Sequence, residues 1–354
     1  MARSFADFGN ALYTGEKSIN FIGRRKTWYL VSVILIIISI AGPMLRGGFT
    51  FGIEFTGGSQ FQVHLSEGQD RDPAVAEAAV SEALPNSAPR VSQLGPTDIR
   101  VQTEALNDSE NRKVAAAIAD SYGVSVDEVT TSYIGPAWGK DITRQAIIAL
   151  FVFILFAALV MALYFRTWKM SIAAIIALLH DLVVTAGIYG ISGFEITPAA
   201  MIGFLTILGY SLYDTVVVFD KIRENTVPGE LNDRRTFAES VNLGVNQTLV
   251  RSINTSIVAL LPVGSILFIG AFVLGAGTLR DISLALFIGI LVGAYSTIFI
   301  AAPAYAQLRE GEEGIKKRDA KVLRTRSRAN AAGADTDDTE VETTATSELG
   351  KSAR

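Results

Sequence analysis

The sequence contains no cysteine and only two histidines, His64 and His180, set far apart. The first absence excludes a disulfide framework, a thiolate metal site and a thiol nucleophile. The second excludes a zinc site built on histidines. Charge is scarce as well. Asp, Glu, Lys and Arg supply 19% of the 354 residues, below the roughly 25% usual in soluble domains. No nucleophile elbow, phosphate loop or metal-ligand cluster is spelled in the chain, so no cofactor and no soluble-type hydrolase chemistry is expected. The net charge of −4 is uninformative, because an acidic tail offsets basic clusters elsewhere. Those clusters read as membrane anchors rather than nucleic-acid contacts.

What the chain has in quantity is apolar residues gathered into long blocks, at 49% hydrophobic and a mean hydropathy of +0.35. A bilayer core needs about 20 mostly apolar residues per helix. Six segments meet that need: Trp28–Met44, Gln145–Phe165, Met170–Tyr189, Pro198–Phe219, Ile253–Phe272 and Ile282–Ala302. The first ends at Gly42-Pro43, which reads as a helix stop. It follows a polar N-terminal stretch and precedes no clear small-x-small cleavage site, so it is expected to be a retained span.

Basic residues decide the orientation. Arg24, Arg25, Lys26, Arg166, Lys169, Lys221, Arg223, Arg234, Arg235, Arg251, Arg309, Lys316, Lys317 and Arg318 fall on one side, while the opposite short turns hold only Arg280. Both termini are therefore expected in the cytoplasm. The organisation that follows is a cytoplasmic segment 1–27, a first span 28–44, an extracytoplasmic domain 45–141, spans two to six over 142–302, and a cytoplasmic tail 303–354. After about Arg328 the tail is poor in apolar residues and rich in Thr, Asp, Glu and Ala, a composition expected to be disordered.

The outer domain alternates strand-like and helix-like runs. Gln60–Leu65 alternates as a strand, and Pro73–Leu84 is an Ala-rich helix opened by Asp72-Pro73. Arg90–Leu94 and Asp98–Glu104 read as strands joined by a turn at Gly95-Pro96. Ser109–Tyr122 is a helix closed by Gly123, and Val126–Tyr133 is a last strand. This βαββαβ order is that of a ferredoxin-like split unit. The fold class expected is a polytopic α-helical membrane protein with one α+β lobe between its first two spans.

A charged residue at the centre of a spanning helix costs about 2.5–3.5 kcal/mol on insertion scales, so each one needs a reason. Asp214 shares a helix face with Ile207, Tyr210 and Ser211, at 100° per residue. That face offers a carboxylate with two hydroxyls beside it; the plainer alternative is an Asp214 solvated near the inner headgroups. Arg251 opens the fifth span with Gln247, Asn254 and Thr255 around it. It reads either as an ordinary basic anchor or as a partner whose pairing with Asp214 would control that carboxyl's proton. His180-Asp181, in the middle of the third span, fits a structural pair as well as a relay. His64 reads as an ordinary strand residue.

Four stretches resemble the SecD/SecF protein-export family. Gly52-Ile53-Glu54-Phe55-Thr56-Gly57-Gly58 is similar to the glycine-pair motif after that family's first span, with Glu54 in place of the usual Asp. Ile134-Gly135-Pro136 with Gly139-Lys140 is similar to the motif before the second span. The run Gly209–Asn225, around Asp214, is close to the signature of the SecF branch, with Tyr213 in place of the usual Asn. Asn246–Ser256, around Arg251, resembles the family's stretch before the fifth span. The small outer lobe and single set of spans favour the SecF branch.

The resemblance implies an auxiliary subunit of the bacterial Sec translocon in the cytoplasmic membrane, related in fold to resistance-nodulation-division transporters. It implies partnership with SecD, the SecY/SecE/SecG channel, YajC- and YidC-type proteins and the translocating preprotein, within the lipid bilayer. It also implies a proton path through Asp214 and Arg251; the polar residues read above, His180, Asp181, Tyr210, Ser211 and Thr255, are the relay or support candidates beside it. One charge crossing 100 mV yields about 2.3 kcal/mol, enough to bias a two-state domain movement. A proton-coupled exporter of hydrophobic molecules or lipids, and a passive translocon scaffold, are the alternatives. The lobe's few aromatics argue against the first, and the cost of burying Asp214 argues against the second.

Overall fold

The computed structural model describes residues 2–66, 69, 71–85, 87–226, 235–272 and 277–328. The tail beyond 328, with its expected disorder, lies outside the described residues. In chain order the elements are α1 (Ala2–Thr14), α2 (Arg25–Leu45), α3 (Ile53–Thr56), β1 (Gly58–His64), α4 (Pro73–Ala83), β2 (Arg90–Leu94), β3 (Asp98–Thr103), α5 (Asp108–Tyr122), β4 (Val129–Ile134), α6 (Pro136–Phe165), α7 (Trp168–Ser192), α8 (Pro198–Thr226), α9 (Phe237–Phe272), α10 (Gly277–Ser296) and α11 (Ala302–Glu310). A π-helical turn, Thr297–Ala301, joins α10 to α11, and a last helix covers 313–328. Among the described residues, six helices are long and apolar enough to cross a membrane: α2, α6, α7, α8, α9 and the run from α10 to α11.

Two local expectations are corrected. Pro43 does not stop the first span, because it lies inside α2, which runs on to Leu45. The missing proline N–H costs the helix one bond, the one to the Ser39 carbonyl, and the Pro43 carbonyl then accepts the amides of Arg46 (3.0 Å) and Gly48 (2.9 Å) to close the helix. The last strand begins at Val129, not Val126, because Val126–Glu128 forms a 3-10 turn. Ser125 and Glu128 cap that turn reciprocally, which holds those residues out of the ladder. Helices α1 and α3 were not anticipated.

The chain divides into two compact units, Lys26–Val216 with Arg251–Ala301, and Met1–Arg25 with Val217–Val250 and Ala302–Arg354. In the first, the lobe between α2 and α6 is an antiparallel sheet in the order β2-β3-β1-β4, with Phe61 of β1 opposite Val101 of β3 and Thr131 of β4. Alternation sends Phe61, Val63 and Leu65 to one face, where they pack with Ile99 and Val101 of β3. Val80 of α4 and Val114, Ile118 and Tyr122 of α5 complete that core. Each such side chain contributes about 1.5–3 kcal/mol by burial.

The other sheet face is polar and nevertheless covered. Arg100 of β3 forms an ion pair with Glu195, in the α7–α8 connection, at 3.4 Å, and Gln102 donates to the same carboxylate at 3.2 Å. The backbone adds two bonds there, from Ile196 N–H to Thr50 (2.7 Å) and from Gly52 N–H to Ile196 (3.0 Å).

The two glycine motifs meet at the root of this lobe. Gly58 has φ +151°, and a Cβ on it would collide with the Thr103 carbonyl. A Cβ on Gly139 would lie 2.6 Å from the Phe55 carbonyl. The backbones therefore approach more closely than any side chain permits.

In the second unit, Asn242 and Asn246, one turn apart on α9, hold the segment before α2. Asn242 accepts the amides of Phe21 (2.8 Å) and Ile22 (3.2 Å), and Asn246 accepts that of Ile19 (2.8 Å). Phe219, Phe237 and Tyr305 pack ring to ring beneath them.

Candidate functional site

Helix α8 positions the site. Ile207, Ser211 and Asp214 are buried along one face of it, with Tyr210 half-buried, as 100° periodicity requires. Asp214 is 6% exposed. Its Oδ1 accepts a hydrogen bond from Ser252 of α9 at 2.9 Å, and its Oδ2 is buried with no hydrogen-bond partner among the described residues. Tyr210 donates to the Thr255 carbonyl at 3.1 Å, pinning α8 to α9 one turn away. Arg251 precedes Ser252 on α9, but its side chain is exposed, and no ion pair joins it to Asp214 among the described residues. The hydroxyl holding Asp214 thus comes from the residue after the expected arginine.

A second buried carboxylate faces the same helix. Asp181 of α7 is fully buried. Its Oδ2 accepts from Ser211 of α8 at 2.6 Å and from Ser296 of α10 at 2.8 Å. His180 Nδ1 lies 3.3 Å from Oδ1, while His180 Nε2 is buried without a hydrogen-bond partner among the described residues. Close packing makes this junction possible: Gly293 of α10 lies against Ser211, where a Cβ would come within 3.1 Å. Thr215 of α8 donates to the Ser211 carbonyl (3.0 Å) and shares a bond with Thr297 (2.9 Å). Ser296 and Thr297 sit where the last span turns π-helical, a distortion frequent at functional sites.

Of the residues expected from sequence, Asp181 and Ser211 are brought into direct contact, Tyr210 and Thr255 into another, and Asp214 is bonded to neither Arg251 nor His180. Ser252, Thr215, Ser296 and Thr297 were missed. Ser252 stood inside the motif around Arg251, and Ser296-Thr297 is a polar pair within an apolar span. A third carboxylate, Asp281 at the start of α10, is also buried; it accepts from Thr197 at 3.0 Å and pairs with Arg280 at 3.2 Å. Its signal was weak, since Arg280-Asp281 reads as an ordinary helix start.

Chemically, hydroxyl-bonded carboxyls with an open oxygen can hold and pass protons. Among the described residues no group of three or more His, Cys, Asp or Glu side chains is placed to hold a metal.

Comparison with known proteins matches residues 113–311 to the model described as protein export membrane protein SecD/SecF, C-terminal, and residues 45–68 to the SecD/SecF GG motif. A protein translocase subunit SecF from Streptomyces coelicolor is 42% identical, over 92% of this chain and 86% of its own length. A SecF subunit from Mycobacterium tuberculosis is 40% identical, over 93% of this chain and 75% of its own. The crystal structure of SecDF from Thermus thermophilus, a translocon-associated membrane protein, superimposes with a TM-score of 0.72 at 29% identity. That match covers 83% of this chain, which spans about two fifths (39%) of the SecDF chain.

Proposed function

The chain belongs to the SecD/SecF family of protein-export membrane proteins, and from that premise we propose that it is the SecF-type auxiliary subunit of Sec translocation, working with SecD and using the proton motive force to promote preprotein export. In this reading it has six spans, a ferredoxin-like extracytoplasmic lobe and cytoplasmic termini. It sits in the bacterial inner membrane beside the SecY/SecE/SecG channel and YajC- and YidC-type proteins. The SecF relatives, and the SecDF chain that joins both halves in one polypeptide, support the partnership.

The observation that carries the mechanism is Asp214, buried in α8, bonded through one oxygen to Ser252 and open at the other. A charge in this setting costs several kcal/mol, and protonation removes that cost. Adjacent helix residues point 100° apart, so a rotation of α9, or a swing of the long Arg251 side chain, exchanges Ser252 for Arg251 at Asp214. Proton loss favours the arginine and proton gain favours the serine. The alternation biases α9 against α8. Asp181, bound to Ser211 three residues from Asp214, supports the same helix face and serves as a relay candidate with His180.

The test is Asp214→Asn. It is expected to abolish the proton-gradient-dependent part of preprotein export from membrane vesicles while co-purification with SecD persists. Normal gradient-dependent export in that variant would refute the mechanism.

A further inference from the structure

The helix over 313–328 carries seven basic residues against two acidic ones, a net of +5. Its two faces have different fates. One is docked within its own unit. Val322 is 3% exposed, Asp319 accepts the Phe237 amide at 2.9 Å, Arg318 donates to the Arg235 carbonyl at 2.9 Å, and Arg326 pairs with Glu239 at 2.9 Å. The opposite face bears Lys317, Lys321, Arg324 and Arg328. Their spacing of four, three and four places them within about 60° of arc, and all four are exposed. Lys317 reaches Glu313 only at 3.9 Å. Among the described residues the charged ends of Lys321, Arg324 and Arg328 make no ion pair or hydrogen bond; only the Lys321 and Arg324 carbonyls accept, from Thr325 and Ser327.

The helix also begins close to the membrane boundary. Glu310, just before it, pairs at 2.6 Å with Arg25, the first residue of α2, which turns apolar at Trp28. A rise of 1.5 Å per residue puts Arg25 about 5 Å from that apolar start, inside the ~8 Å over which charges act at physiological salt.

We propose that the stripe Lys317-Lys321-Arg324-Arg328 is a docking surface for anionic phospholipid headgroups. Four like charges on one face, held there by a docked opposite face, form the kind of juxtamembrane basic cluster that anionic leaflets attract. The surface plays no part in the Asp214 chemistry and stands whether or not the export reading does.

The native chain lacks cysteine, so Ala320→Cys, an exposed position beside the stripe, gives a single attachment point for an environment-sensitive fluorophore. Full-length labelled protein is placed in nanodiscs of phosphatidylcholine alone and of phosphatidylcholine with phosphatidylglycerol, and its accessibility to an aqueous quencher is measured. Quenching is expected to fall at least about fivefold with phosphatidylglycerol, the factor that one residue's ~1 kcal/mol near the surface supplies. Raised salt and the combination K317Q/K321Q/R324Q/R328Q should both restore it. Equal quenching in the two lipids overturns the proposal, as does protection that survives the quadruple substitution. Protection in both lipids that vanishes on truncation after Gly333 assigns the stripe to the acidic residues 335–348 of the tail, and also overturns it.

Discussion

The ion pair between the outer lobe and the α7–α8 connection gives a quantitative test of how the lobe is held. Arg100 and Glu195 are 10% and 7% exposed and lie 3.4 Å apart, with Gln102 adding a bond at 3.2 Å. At an effective dielectric of 20 that separation corresponds to about 5 kcal/mol of attraction, most of it offset by the desolvation of both ions. The net worth of the pair is therefore small, but removing one partner strands the other, at about 3–5 kcal/mol. Undocking the lobe returns the stranded charge to water, so the cost appears in the docking equilibrium itself. Amide hydrogen exchange at Ile196 and Gly52, whose N–H groups bridge the same junction, reads that equilibrium. Arg100→Met or Glu195→Leu should each accelerate exchange there by roughly 10²- to 4 × 10³-fold, at ~1.4 kcal/mol per factor of ten. The double variant should lie within about tenfold of the parent, because two apolar side chains leave no buried charge. Single variants with unchanged exchange, or a double variant worse than either single, would show that the lobe is held by something else.

Three further outcomes follow from named contacts. Ser296→Ala removes one of the two hydroxyl donors to Asp181 and should lower thermal stability in detergent by about 1–3 kcal/mol, as for a buried acceptor that loses a donor; Ser296→Thr should recover most of it. Gly58→Ala drives a methyl into the Thr103 carbonyl from a backbone conformation that side chains avoid, and should cost about 1–3 kcal/mol, read as faster proteolysis of the outer lobe with the spans intact. Asn242→Ala removes the side-chain oxygen that accepts the Ile22 amide and shares the Phe21 amide with the Ile19 carbonyl, at about 1–3 kcal/mol for Ile22 if it stays buried, and should expose residues 15–25 to limited proteolysis.

The parts of this fold legible in the sequence are those whose signal is local. Apolar length located the membrane-crossing helices, and the two-residue period of Phe61, Val63 and Leu65 located β1. Asp72-Pro73 marked α4, where Asp72 accepts from the Ala74 amide, and Gly123, at φ +67°, marked the end of α5. What stayed hidden depends on which helices meet. Ser211 was placed beside Asp214 because both lie on α8, but its hydrogen bond goes across to Asp181, a partner set by how closely Gly293 lets α10 approach. Arg251 stands out in the sequence because a charge is more conspicuous than a hydroxyl, whereas in the structure the short side chain of Ser252 fits between the packed helices and reaches Asp214. Helix α1 escaped notice for a related reason. Its mean hydropathy is near neutral, so apolar length does not reveal it; its apolar residues are gathered on one helix face instead, and Leu12 is fully buried.

The arrangement on α8 also explains why intramembrane polar residues can be tolerated together when each alone would be expensive. Asp181 is bound by hydroxyls from α8 and α10, Asp214 by one from α9, and Thr215 links α8 to Thr297. These bonds tie α8 to α7, α9 and α10, with Asp214 Oδ2 left open, so the bonds that lower the burial cost also fix which helices touch and in what register. Lipid offers no hydrophobic drive for helices to associate, and such contacts carry much of the specificity. A helix tied in this way cannot shift against one neighbour without disturbing its bonds to the others. Ser211 and Asp214 are separated by only about 4.5 Å of helix rise. Any change of partner at Asp214 that moves α8 therefore strains the Asp181 junction within one turn. That mechanical closeness makes Asp181 a natural support for the proton step proposed at Asp214.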